Sequence, residues 1–189
     1  MRDIMWTDEQ QQVVVDYCLG RISRMDLLKR LPFDVDQIPD EIRRQLTAAL
    51  LHKSGELVET MLSVASIFGV PFEHYADLLW LLVTEDWHYK HEDIIGFLQD
   101  SADPRAIPLI IKAIDLKPRL EYLAYDDYGS YYKKCLWALQ DIGTLEAIAV
   151  IENCTKSQDT ALAEEAFYRL SKIKAASQCV AQVVKGPPC

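Results

Sequence analysis

Residues 98–110 read Leu98-Gln99-Asp100-Ser101-Ala102-Asp103-Pro104-Arg105-Ala106-Ile107-Pro108-Leu109-Ile110, and they decide the fold because a related stretch follows 41 residues later. That second copy reads Leu139-Gln140-Asp141-Ile142-Gly143-Thr144-Leu145-Glu146-Ala147-Ile148-Ala149-Val150-Ile151. Each copy has the pattern of a helix end, a tight turn and the start of a second helix. Helix pairs that recur every ~40 to 47 residues stack into α-solenoids, which mostly serve as binding surfaces.

Helix signals extend over the rest of the chain, whereas strand signals are weak. Thr7 and Gln10 resemble a capping box, which predicts a helix that ends near Leu19 with Gly20 just beyond it. The stretch from Phe33 to Ile38 is predicted as a loop. Further helices are expected over 23–31, 39–53, 56–68 and 72–84, and in the repeat region over 89–100, 104–115, 130–142, 144–154 and 160–173.

The pattern therefore predicts an all-α protein, a short α-solenoid of antiparallel helix pairs in a single domain over residues 1–189. Within it we expect a helical amino-terminal part (1–86), HEAT-like repeats (87–175) and a carboxy-terminal tail (176–189). Met1 leads directly into helix signals, so no secretory leader is expected. The longest apolar stretch, from Leu78 to Val83, is too short to span a membrane. We therefore expect a cytoplasmic protein.

The net charge of −9 is unevenly distributed along the chain. Residues 1–60 carry −3, residues 61–129 carry −7 and residues 130–189 carry +1. This balance argues against nucleic-acid binding, which needs a basic surface. An acidic surface suits a basic protein partner, although it would also serve solubility alone.

No pattern of residues predicts catalysis or a cofactor. The chain lacks the glycine-containing motifs of serine hydrolases and of phosphate-binding loops, and its four histidines have no triad context. An odd cysteine count without a CxxC pair fits reduced thiols in the cytosol, with Cys135 and Cys154 as small buried hydrophobes. The five cysteines are Cys18, Cys135, Cys154, Cys179 and Cys189.

The acidic stretch from Glu85 to Asp93 is the first candidate binding segment. Glu85, His88 and His91 are three residues apart and could ligate a metal on one continuous helix, but a di-iron bundle needs two such motifs and further glutamates. We therefore expect no metal site. The favoured interpretation is an acidic and aromatic contact patch, and the alternative is an acidic first turn favoured by the helix dipole. The predicted partner-binding residues here are Glu85, Asp86, Trp87 and His88.

A tyrosine-rich stretch between the repeat copies, residues 117–132, is the second candidate. It is too long and too polar for an ordinary helix connection, and insertions in solenoids often lie on the binding face. Tyrosine supplies contact area, and acidic neighbours would match basic groups on a partner. The predicted partner-binding residues are Glu121, Tyr122, Tyr125, Asp126, Asp127 and Tyr128. Alternatively, Tyr131 and Tyr132 begin the next helix and pack inward while the carboxylates are merely solvated.

The four tryptophans divide into two predicted groups. Trp80 and Trp137 lie in apolar helical runs, which indicates core positions. Trp6 and Trp87 precede helices among acidic residues, which indicates partial exposure.

The motif D-P-R-A-I-P-L-I (residues 103–110) and its partner T-L-E-A-I-A-V-I (144–151) resemble HEAT-like repeats over about residues 88–173. The whole chain, including residues 17–32, also resembles the small acidic HEAT-type immunity proteins of bacteria. That resemblance implies an immunity protein that binds and neutralises a cognate toxin with a basic surface, by occluding its active or target-binding surface. It carries over no individual binding residue. The alternatives are a HEAT-repeat scaffold or adaptor, or an enzyme of the lyase or glycosylase type.

Overall fold

The computed structural model describes residues 5–31, 33–125 and 129–184, with side chains as far as residue 176. Within these ranges every regular element is helical, which confirms the all-α prediction. The α-helices are α1 (Asp8–Cys18), α2 (Arg24–Arg30), α3 (Ile38–His52), α4 (Gly55–Phe68), α5 (Ala76–Leu82), α6 (His91–Ser101), α7 (Ile107–Leu116), α8 (Ser130–Ile142), α9 (Leu145–Cys154) and α10 (Thr160–Val184).

The chain divides into two compact units. The amino-terminal unit is Met1–His91, and the carboxy-terminal unit is Glu92–Cys189. No helix in the described ranges is both long and apolar enough to cross a membrane. Whether the two units form a single domain stays a prediction.

The amino-terminal unit is built on the α3–α4 pair. α1 packs against α2 and α4, and α5 packs against α3. The α3–α4 turn is short because Lys53 adopts the left-handed region (φ 53°) and Ser54 then caps α4 by accepting a hydrogen bond from the backbone N of Leu57. The buried apolar side chains of this unit include Val14, Leu27, Ile42, Leu46, Leu57, Met61, Leu79 and Leu82.

Trp6 anchors the residues before α1 to α3. Its indole Nε1 donates to Glu41 Oε1 at 2.7 Å, and its backbone N donates to Gln45 Oε1 at 3.0 Å. Trp6 is only 4% exposed, so its predicted partial exposure is wrong. The prediction relied on the acidic neighbours in sequence, whereas the partners that bury Trp6 lie 35 and 39 residues further along the chain.

In the carboxy-terminal unit α8 packs against α7, α9 and α10, and α9 also packs against α10. The buried apolar side chains of this unit include Ile94, Ile95, Leu98, Ile107, Ile110, Tyr131, Cys135, Leu139, Ile151 and Ala166.

The two repeat copies make the same kind of turn. Ala102 and Gly143 occupy equivalent positions, and both adopt the left-handed region, with φ of 46° and 65°. The next residue is an N-cap in each copy, since Asp103 accepts from Arg105 N and Thr144 accepts from Ala147 N. The first copy also differs from the second because its turn continues as a 3-10 helix (Pro104–Ala106) before α7 begins.

Several predicted helix bounds are wrong. The predicted helix 72–84 is a 3-10 turn (Phe72–His74) followed by the shorter α5, and Leu81 is 57% exposed. The predicted loop 33–38 contains a 3-10 turn (Val35–Gln37). α10 continues well past residue 173, because no glycine or proline interrupts it before Gly186. The last five residues of the predicted tail lie outside the described residues.

Candidate functional site

The predicted contact stretch after α5 forms a loop, residues 85–90, which we name the acidic loop. Asp86 is exposed, Tyr89 is 64% exposed, and Glu85 and Trp87 are half-buried. The indole Nε1 of Trp87 donates to Glu85 Oε2 at 2.8 Å, which fixes the ring beside a carboxylate. The loop therefore presents acidic and aromatic groups together, and the predicted partial exposure of Trp87 is confirmed.

A pair of buried histidines holds this loop in place. The rings of His88 and His91 are stacked, with centroids 4.0 Å apart, and both side chains are fully buried. His88 Nε2 donates to Leu82 O at 2.8 Å while its Nδ1 accepts from Lys90 N at 3.1 Å. His91 Nε2 donates to Glu85 O at 2.6 Å. A backbone carbonyl can only accept, so these partners define the proton positions.

His88 is thus a structural residue of the loop, and its predicted direct contact with a partner is wrong because its side chain is inaccessible. Burial lowers the pKa of His88. Burial, and then the neighbouring His88, lower the pKa of His91 to about 4. Both rings are therefore neutral at pH 7. Among the described residues there is no group of three side chains suited to hold a metal ion.

The acidic loop lies against the first turn of α4. A Cβ on Gly55 would come within 3.0 Å of Trp87 O, and Lys90 Nζ forms an ion pair with Glu59 Oε1 at 3.1 Å. Glu59 also lines a groove of about 430 Å³ between α1 and α4. The groove has three carboxylates in its lining, from Asp8, Glu56 and Glu59, together with Gln11, Gln12, Val15 and Thr60.

We name the acidic face from its carboxylates and its exposed aromatic groups. They are Asp8, Glu56, Glu59, Glu85 and Asp86, with Trp87 and Tyr89. Sequence reasoning found the loop but missed Asp8, Glu56 and Glu59. The sequence around Asp8 and Glu56 shows only that they lie in the first turns of helices, where acidic residues are common because they stabilise the helix.

The second predicted patch belongs to the carboxy-terminal unit. Two 3-10 turns, Lys117–Arg119 and Glu121–Leu123, follow α7. Glu121 is exposed, Tyr122 is half-buried and Tyr125 is 91% exposed. The predicted contact residues Asp126, Asp127 and Tyr128 lie outside the described residues.

Tyr131 and Tyr132 pack inward from the start of α8, as the alternative interpretation predicted. Tyr131 is fully buried and its hydroxyl donates to Ala113 O at 3.1 Å. The hydroxyl of the 3% exposed Tyr132 donates to Asp159 Oδ2 at 2.8 Å. Tyr131 therefore connects α8 to α7, and Tyr132 connects α8 to the residue before α10. Among the described aromatic residues of this stretch, Tyr125 is the most exposed.

Three further side chains, those of Trp137, Trp80 and Cys154, differ from their predicted core placement. Trp137 is 38% exposed on α8, so its assignment to the core is wrong, and Trp80 is half-buried. Cys135 is fully buried, as predicted, and burial strongly raises the pKa of its thiol. Cys154 is only partly buried, and burial raises the pKa of its thiol too. Raised thiol pKa values make both groups poor nucleophiles.

No protein-family model matches this chain, and searches of the curated proteins and of the solved structures find no match either.

Proposed function

We propose that this chain binds a protein partner with a basic surface, and that it does so through the acidic face of its amino-terminal unit. The observation that carries the proposal is the joint presence there of five carboxylates, of which Glu59 is paired with Lys90, and of two aromatic side chains, the exposed Tyr89 and the half-buried Trp87. Carboxylates steer a basic partner into encounter, and aromatic groups supply the buried contact area from which interface free energy mostly comes.

The buried histidine pair supports the same proposal. Binding costs less conformational entropy when a contact loop is already ordered in the free protein. The hydrogen bonds from His88 to Leu82 O and from His91 to Glu85 O order the acidic loop without using its exposed groups. These contacts tie the backbone of the acidic loop to α5 and to the start of α6.

The biological role that fits such a surface is the one implied by the resemblance to acidic immunity proteins. We propose a cytoplasmic immunity protein that neutralises a cognate bacterial toxin by occluding its active or target-binding surface. A HEAT-like solenoid arrangement belongs to this proposal, supported by the equivalent turns at Ala102 and Gly143. A scaffold or adaptor role would use the same acidic face on a basic partner that is not toxic.

The test is co-expression with the product of the adjacent gene, which the immunity role predicts to be a toxin, with growth as the measurement. Wild-type chain should restore growth and should bind the purified toxin domain. The variant Asp8→Lys/Glu56→Lys reverses two exposed charges of the acidic face and should slow association at least ~10-fold at low salt.

A matched control reverses two exposed charges elsewhere, in Glu146→Lys/Glu152→Lys on α9. Glu146 lies in the first turn of its helix, as Asp8 and Glu56 do. The Glu146→Lys substitution in the control therefore loses the same favourable interaction of a carboxylate with the helix dipole. Equal slowing by both double variants would refute the acidic face as the binding site. Binding without growth rescue would favour the scaffold role over the immunity role.

A further inference from the structure

The outer surface of α8 and α10 carries a continuous series of cations and aromatic rings. Lys133 Nζ lies 5.0 Å from the ring centroid of Trp137, and Arg169 Cζ lies 4.7 Å from the same ring. Arg169 Cζ is also 4.9 Å from the ring of Tyr168, and Lys172 Nζ is 5.1 Å from that ring. We name these five side chains the cation–aromatic face.

The centre of this face is rigid and its outer groups are accessible. Arg169 is only 4% exposed and forms an ion pair with Glu165, so the two rings are held against a fixed guanidinium. Trp137 and Tyr168 remain 38% and 48% exposed. Packing alone does not require large aromatic groups to stay this accessible, and tryptophan and tyrosine are the residues most enriched in interface hot spots.

The two lysines of the face have unused hydrogen-bonding capacity. A ring holds an ammonium group by its quadrupole and takes none of its N–H groups in a conventional hydrogen bond. In the part of the chain that the structure describes, neither Lys133 nor Lys172 forms an ion pair with a carboxylate. Both ammonium groups are therefore positioned over the rings, with donors available to an incoming anion.

The charge of this face is opposite to that of the chain as a whole. The face carries three cations, and among the described residues only one of them, Arg169, is paired with a carboxylate, that of Glu165, whereas the chain as a whole has a net charge of −9. Asp141 lies one helical turn from Trp137, and Glu164 lies one turn from Tyr168. Because these carboxylates border the cations, the positively charged region is short. A long polyanion such as nucleic acid would be repelled by the rest of the chain, whereas a short acidic segment meets only the local positive field.

We propose that the cation–aromatic face is a docking site for a short acidic peptide segment of a protein partner. Aspartate or glutamate side chains would accept from Lys133 and Lys172, and an apolar side chain between them would cover the exposed part of Trp137. The site differs from the acidic face in both sign and location along the chain. It does not rest on the proposed toxin binding, and either can fail without the other.

The test begins with selection of a random peptide library on phage against the wild-type chain. Peptides rich in aspartate and glutamate should be enriched. Addition of a selected peptide should shift the indole N–H signal of Trp137 in an NMR spectrum, with that signal assigned from Trp137→Phe.

The matched variants both remove two exposed lysine charges from the carboxy-terminal unit. Lys133→Gln/Lys172→Gln should weaken binding of the selected peptide about 10-fold, whereas Lys112→Gln/Lys156→Gln should change it by no more than about 2-fold. Thermal melts should show that both variants fold. The proposal is overturned if no acidic peptide is enriched, if the two variants bind equally, or if a single-stranded oligonucleotide binds the face more tightly than the peptide.

Discussion

At the scale of single residues, the buried histidine pair has the clearest energetic consequence. His91 has a folded-state pKa of about 4, against an ordinary value of 6.5. Between these values the unfolded chain binds a proton at this residue and the folded chain does not. The neutral, buried state of His91 therefore contributes fully to the free energy of unfolding above pH 6.5, and this contribution is lost as the pH falls towards 4.

We predict that protonation linked to His91 lowers the free energy of unfolding by about 3 kcal/mol between pH 7 and pH 4. Urea denaturation at pH 7, 6, 5 and 4 measures this change. The variant His91→Gln should be less stable at pH 7 and should show a markedly flatter pH dependence. His52→Gln/His74→Gln, which alters two exposed histidines, should retain the wild-type slope. A wild-type slope in His91→Gln would contradict the assignment.

At the scale of elements, the two repeat turns provide a natural comparison. Ala102 and Gly143 both have positive φ, but only alanine has a Cβ that disfavours this region. Ala102 is exposed, so its methyl group gains little from packing. The first turn is therefore strained where the second is not.

We predict that Gly143→Ala destabilises the protein by about 1–2 kcal/mol, while Ala102→Gly stabilises it by up to about 1 kcal/mol. The stabilisation by Ala102→Gly should be smaller than the destabilisation by Gly143→Ala, because the new glycine adds conformational freedom to the unfolded chain. A Cβ on Gly143 would meet its nearest atom at 3.5 Å, an ordinary contact, so the cost comes from φ and not from a clash. Urea midpoints of the two variants should move in opposite directions, and movement in the same direction would disprove this account.

Sequence patterns predicted four of the helix starts to within a residue or so because capping is local. Thr7, Ser23, Ser54 and Thr144 each accept a backbone hydrogen bond from a residue three positions later, and such spacing is visible without a structure. The side-chain environments of the tryptophans were less predictable. Trp6 is buried by residues of α3, and the ring of Trp137 is contacted by Arg169 of α10.

The candidate site was predictable only in part for the same reason. Residues 85–90 are contiguous, so their acidic and aromatic character could be recognised from sequence alone. Asp8 and Glu56 line one groove although 48 residues separate them, and only the packing of α1 on α4 brings them together. The cation–aromatic face likewise joins residues of α8 and α10 that are more than 30 positions apart.

At the scale of the whole molecule, the four histidines have an uneven distribution. His52, His74, His88 and His91 all fall within the first 91 residues, so none belongs to the carboxy-terminal unit. Burial lowers the folded-state pKa of both His88 and His91 below the ordinary 6.5, so in mild acid the unfolded chain binds more protons at these two residues than the folded chain does. Mild acid should therefore act on the amino-terminal unit.

We predict that lowering the pH from 7 to 4.5 reduces hydrogen-exchange protection in residues 5–91 and leaves protection in residues 92–184 nearly unchanged. Local opening free energies differ between parts of a protein, and the loss linked to the two buried histidines falls in the amino-terminal unit. Exchange followed by mass spectrometry of peptides, corrected for the intrinsic pH dependence of exchange, measures both regions at once. Equal loss of protection in the two units would contradict the prediction.

The stacked imidazoles under the acidic loop also bear on how a captured partner could be recovered. His88 Nδ1 accepts a hydrogen bond from Lys90 N only while Nδ1 itself carries no proton. Protonation of His88 in acid therefore removes a hydrogen bond beneath the loop. A partner held at neutral pH on immobilised chain should then elute once the pH is low enough to protonate His88. Neutralisation would regenerate the same surface for another cycle of capture, because no covalent change is involved.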